Sequence, residues 1–95
     1  MNKYLKKTQG YSIVIPILNE GKNLEELVIK IRKSLAKFKF EIIFVDDNSM
    51  DDTLFFLKKL KKKYNFIKYF IRKKKPDLSL SCIHGFNKSK FDNII

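Results

Sequence analysis

A chain of 95 residues has room for one small domain, near the lower limit at which a parallel α/β sheet buries a core of its own. Its 44% hydrophobic content excludes wholesale disorder, and its one cysteine, Cys82, excludes an internal disulfide. A formal charge of +11 predicts attraction to phosphates, anionic lipid heads or nucleic acid, yet arginine occurs only at Arg32 and Arg72, which weakens specific base or phosphate recognition.

Residues 1–10 are polar and end in Gly10, so they read as a flexible lead-in to a domain over residues 11–95. No apolar run reaches the roughly 18–20 residues that span a bilayer, and the start lacks the apolar region of a signal peptide. The expectation is a soluble, cytoplasmic chain.

Ser12–Ile17 is β-branched and continuously apolar, as a strand buried on both faces should be, with Pro16 near its end where a missing donor is tolerated. A helix is predicted from about Asn23, with Glu26 three positions on resembling a capping box. Leu24, Leu27, Val28, Ile31, Leu35 and Phe38 form its apolar stripe. Phe40–Val45 reads as a second strand. Ser49 is placed to cap the next helix, Asp51 and Asp52 fall in its first turn, and Thr53, Phe56, Leu57, Leu60 and Tyr64 face inward. The lysines at 58–63 read as a solvated helix end.

Phe66–Ile71 is a third strand, followed by the basic loop Arg72-Lys73-Lys74-Lys75-Pro76. A third helix starts at Asp77 or Ser79, with Leu78, Cys82, Ile83 and Phe86 inward and Gly85 or Asn87 near its end. Asp92–Ile95 opens a fourth strand, and a chain stopping inside it suggests a fragment. The order β-α-β-α-β-α-β predicts an α/β, Rossmann-like fold with right-handed crossovers and a mostly parallel sheet.

The chemistry concentrates in two polar segments that follow strands, Pro16-Ile17-Leu18-Asn19-Glu20 and Asp46-Asp47-Asn48-Ser49. Carboxyl ends of parallel strands are where open α/β sheets bind ligands. The first turn has a single glycine, Gly21, and there is no Walker-type loop, so backbone cradling of phosphate is disfavoured. Recognition falls to carboxylates, which accept hydrogen bonds from a base or a ribose.

Ile13-Val14-Ile15-Pro16-Ile17-Leu18-Asn19-Glu20, Asn23-Leu24, Val45-Asp46-Asp47-Asn48-Ser49-Met50-Asp51-Asp52-Thr53, Arg72 with its lysines and Ile83-His84-Gly85-Phe86 together resemble the amino-terminal half of a family 2 glycosyltransferase of GT-A fold. Within that family the chain is most similar to dolichyl-phosphate and other polyprenyl-phosphate mannosyltransferases. The resemblance implies a nucleotide-sugar site that includes Pro16, Leu18, Asn19 and Glu20. It also implies that Val45 packs on the base and that Asp47 accepts from a ring N–H of uracil or guanine. Asp46 orients the turn, and Arg72 approaches the substrate phosphate.

The resemblance further implies a GDP- or UDP-sugar donor, a polyprenyl-phosphate acceptor, a divalent cation (Mg or Mn) and work at the cytoplasmic face of a membrane. Three departures stand out. Leu18 replaces a common aromatic, the loop over residues 75–79 is poor in glycine, and the Asp-x-Asp metal motif would follow Ile95. A chain ending there is expected to be inactive alone.

Other readings weigh less. A basic module for nucleic acid or anionic membrane has the charge but lacks arginine and interleaved aromatics. A receiver domain would need an acidic pair after the first strand and an Asp after the third, and neither is present. His84 has no neighbouring ligand cluster in the sequence and reads as a packing or surface residue, while Cys82 reads as core.

Overall fold

The computed structural model describes residues 10–91 together with 93 and 94. Strands β1 (Tyr11–Ile17), β2 (Phe40–Asp46), β3 (Ile67–Ile71) and β4 (Asn93–Ile94) alternate with helices α1 (Leu24–Ser34), α2 (Thr53–Lys63) and α3 (Leu78–Asn87). They form one parallel sheet in the order β3-β2-β1-β4. The expected lead-in lies outside the described residues apart from Gly10, as do Asp92 and Ile95 of the fourth strand.

Side chains alternate across the sheet and divide it into two layers. On one face Ile17, Ile42, Phe44 and Ile67 meet Leu24 and Val28 of α1 and Leu57 and Leu60 of α2. On the other, α3 packs over β1 and β2, and Gly85 sits so close to Val14 and Val45 that a Cβ would clash with the Val14 methyl. As expected, Gly85 and Asn87 lie near the end of the helix, in its last turn, and at Gly85 the close approach of the backbone to the sheet requires the missing side chain.

The inward face of α3 differs from the expected stripe. Ser81 and Gly85 are buried and Cys82 is half-buried, whereas Leu78, Ile83 and Phe86 are exposed. Small residues face the sheet because the helix lies close against it, which turns the larger apolar side chains outward. Of the stripe expected for the first helix, Leu27 in α1 is likewise exposed, and Phe38 is exposed beyond the end of α1 at Ser34. A single 3-10 turn over Gly21–Asn23 precedes that helix, and Asn23 makes no side-chain cap, so the capping box does not form.

The sequence also hid a charge inside β2. Glu41 is 2% exposed and lies beside Ser12 in the β1–β2 register. Its Oε2 accepts from Ser12 Oγ at 2.6 Å and from the Lys90 backbone N–H at 2.7 Å, while Lys68 Nζ stands 2.6 Å from Oε1. Phe91 N–H donates to Ser12 Oγ in turn, tying the segment after α3 to the sheet.

Candidate functional site

Strands β1, β2 and β3 end in register, with Ile17 beside Asp46 and Asp46 beside Ile71. The loops that follow therefore leave from one edge of the sheet. Two of them are stitched together through asparagine turns. Asn19 and Asn48 adopt left-handed backbone (φ 53° and 67°), a conformation asparagine tolerates better than most residues. Asn19 N–H donates to Ser49 Oγ at 2.8 Å, and Asn19 Oδ1 accepts from Met50 N–H at 2.9 Å.

Asp46 is buried, and its carboxylate accepts from both the backbone N–H and the hydroxyl of Ser49. Ser49 thus serves the turn and does not cap α2, as had been expected of it. Asp51 receives Thr53 N–H and the Thr53 hydroxyl instead, and both Asp51 and Asp52 precede the first helical turn. The Thr53 bond leads the influences that hold the Asp51 carboxyl below its ordinary value.

Asp47 points the other way. Its Oδ1 accepts from Arg72 Nε at 3.0 Å and its Oδ2 from Asp77 N–H at 2.6 Å. Arg72 also donates from Nη2 to the Lys75 carbonyl, so the guanidinium holds the basic loop across the ends of the strands. Asp77 completes the arrangement by capping α3, its Oδ1 accepting from Leu80 N–H at 3.0 Å. A carboxylate has about four lone-pair positions, so Asp47 keeps acceptor capacity after binding Arg72 and Asp77.

Between the end of β1 and the start of α3 lies an open cleft of about 290 Å³. Pro16, Leu18, Glu20 and Asp47 line it from the strand side, and Pro76, Asp77 and Leu78 from the loop side. Acids far apart along the chain therefore share one cavity. Glu20 is exposed and caps nothing. Asn19 and Arg72 act from behind the lining, through the loop contacts above.

Val45 is a correction to the sequence reading. It is fully buried under Gly85 of α3, so it supports the helix and offers no surface to a base. Asp77, by contrast, was read only as a helix start; its position immediately before Leu78 announced the cap but not the cleft. Among the described residues no three His, Cys, Asp or Glu side chains converge on a point that could hold a cation. Asp46 and Asp47 diverge to separate partners, so they do not form such a site. His84 packs near the Phe70 ring, 5.5 Å between centroids.

The profile of glycosyl transferase family 2 matches residues 12–95. The chain is 40% identical over 81 residues to a dolichol-phosphate mannosyltransferase of Pyrococcus furiosus, covering 85% of this chain and 23% of that protein. It is 27% identical over 94 residues to a dolichol-phosphate mannosyltransferase of Mycosarcoma maydis, covering 93% of this chain and 32% of the relative. It thus spans roughly a quarter to a third of these relatives' length.

Its fold superposes, with a TM-score of 0.71 at 16% identity, on the mannosyltransferase PcManGT from Pyrobaculum calidifontis, solved in complex with GDP-Man and Mn2+; 92% of this chain and 29% of that one are covered. That likeness speaks to the fold, a GT-A arrangement of strands and helices. With the family profile matched over residues 12–95 and 40% identity to a relative across 85% of its length, this chain belongs to glycosyl transferase family 2.

Proposed function

We propose that this chain forms the nucleotide-sugar-binding part of a hexosyltransferase that takes mannose from GDP-mannose, or a hexose from a UDP-sugar, to a polyprenyl phosphate. The observation that carries this reading is the convergence of Glu20 and Asp47 on one cleft at the carboxyl ends of β1 and β2. The remaining lone pairs of Asp47 suit a base edge rich in N–H donors, which guanine and uracil have. The names of the relatives support mannose and a dolichol-type acceptor, and the ligand of the structural neighbour supports the guanosine nucleotide.

In the reaction the acceptor phosphate oxygen bonds to the anomeric carbon, the bond from that carbon to the donor's diphosphate breaks, and the nucleoside diphosphate departs. The part assigned to these residues is binding and orienting the donor. Among the described residues no side chains converge as a metal centre; the neighbour's Mn2+ supports a cation requirement in the intact enzyme. A polyprenyl acceptor places the work at a bilayer surface, on the cytoplasmic side in our reading.

Calorimetric titration with GDP, UDP and GDP-mannose tests this. Loss of a charge-assisted bond, worth about 1.5–3 kcal/mol, should make Asp47→Ala weaken nucleotide binding by at least about ten-fold. His84→Ala should change it by less than about two-fold, since that ring packs on Phe70 away from the cleft. Equal effects of the two substitutions would remove the assignment.

A further inference from the structure

Helix α2 presents to solvent a face that the nucleotide cleft does not use. Lys58, Lys59 and Lys62 are exposed there, and Phe55 among them is 58% exposed. Helical spacing sets these residues opposite Thr53, Leu57 and Leu60, which are buried in the core. Lys61 flanks the patch and, with Tyr69 of the edge strand β3, completes a shallow groove of ammonium groups and rings.

Most of the charge on this face is uncompensated, although Lys59 lies in the field of the Glu25 carboxylate. Lys63 is held by Glu25 and Lys68 by Glu41, but among the described residues Lys58, Lys59, Lys61 and Lys62 form no ion pair. Neighbouring positions on one helix lie within a Debye length of about 8 Å at physiological ionic strength, so their fields add. Met50, three residues before α2, is 86% exposed and is a second apolar group on the segment that leads into the helix.

We propose that this face of α2 docks on an anionic lipid bilayer, with Phe55 entering the headgroup layer and the lysines meeting the negative surface. Lysine acts as a point charge suited to a diffuse field of headgroups, and the patch holds no arginine of the kind that reads bases or phosphates bidentately. Its rings are also poor platforms for stacking bases. Lys59 Nζ lies 5.4 Å from the Phe55 centroid and Lys61 Nζ 6.0 Å from that of Tyr69, so ammonium groups already cover them.

The test is sedimentation of the chain with phosphatidylcholine vesicles, with and without phosphatidylserine, at low and physiological salt and without nucleotide. Binding is expected only to the anionic vesicles and should weaken with salt. Each lysine near the surface contributes about five-fold, so Lys58→Glu with Lys62→Glu should lower partitioning by about 25-fold or more. Phe55→Ala should lower it with the salt dependence unchanged.

Lys33→Glu with Lys37→Glu, an equal charge change at exposed positions of and just after α1, should alter it by no more than about three-fold. Circular dichroism checks folding, and Lys58→Gln with Lys62→Gln replaces the reversal pair if that pair is unfolded. Equal losses from the two lysine pairs, absence of vesicle binding, or tighter binding to single-stranded RNA with the same lysine dependence would each overturn the proposal. Because nucleotide titration is a separate measurement, failure here leaves the donor-site reading intact.

Discussion

Asp47 joins the fold to the site, because one carboxylate anchors the loop after β3 and also faces the cleft. Arg72 is 10% exposed at its side chain and reaches two acceptors, Asp47 Oδ1 and the Lys75 carbonyl. Lysine cannot reproduce that fork, since its ammonium is a point donor on a flexible stem. Arg72→Lys should therefore cost about 1–2 kcal/mol in urea unfolding, the scale of one or two hydrogen bonds. Nucleotide affinity should fall with it, since the same loop carries Pro76 and Asp77 to the cleft wall.

At the scale of elements, α3 is set by what it lacks. Gly85 brings the helix down on Val14 and Val45, and a Cβ there would stand 2.2 Å from a Val14 methyl. Gly85→Ala should destabilise the chain by about 1–3 kcal/mol as helix and sheet are forced apart, measured by thermal or urea unfolding. Helix propensity alone predicts the opposite sign, since alanine is favoured over glycine in a helix interior. Val14→Ala in the same chain should recover part of the loss. The same substitution in a helix with open space beneath it would show no such recovery, so the pair isolates packing from propensity.

For the molecule as a whole, the buried Glu41 network should contribute to stability on the acid side. Burial is the largest single influence on Glu41 and opposes its ionisation. The bonds from Lys68, Ser12 and the Lys90 N–H together outweigh it and hold the carboxyl below its ordinary value of 4.5. A folded-state value below the unfolded one means that the folded protein binds fewer protons than the unfolded chain between the two values. The contribution is therefore complete above about pH 4.5 and is lost as pH falls through the lowered folded value. Glu41→Gln should cost about 1.5–3 kcal/mol at neutral pH and flatten the acid side of the stability profile, measured by urea unfolding from pH 3 to 7. No helix among the described residues is long and apolar enough to cross a membrane.

The alternation of apolar runs with helical stripes was enough to show the strands, their parallel order and the two loops that meet at the sheet edge. These are local signals, carried by residues a few positions apart. Strand-end position singled out the two polar segments after β1 and β2, and the family resemblance picked Pro16, Leu18, Glu20 and Asp47 within them. Burial of Val45, the Asp47–Arg72–Asp77 connection and the inward Glu41 were not legible there. Each depends on partners from other elements. Val45 and Glu41 stand in a run that looks uniformly suited to a strand, and only the helix or lysine packed against each decides whether it is covered, paired or open to a ligand. Chain-local chemistry thus determined which segments fold and which strand ends form the candidate cleft, while contacts between distant segments decided which side chains face it.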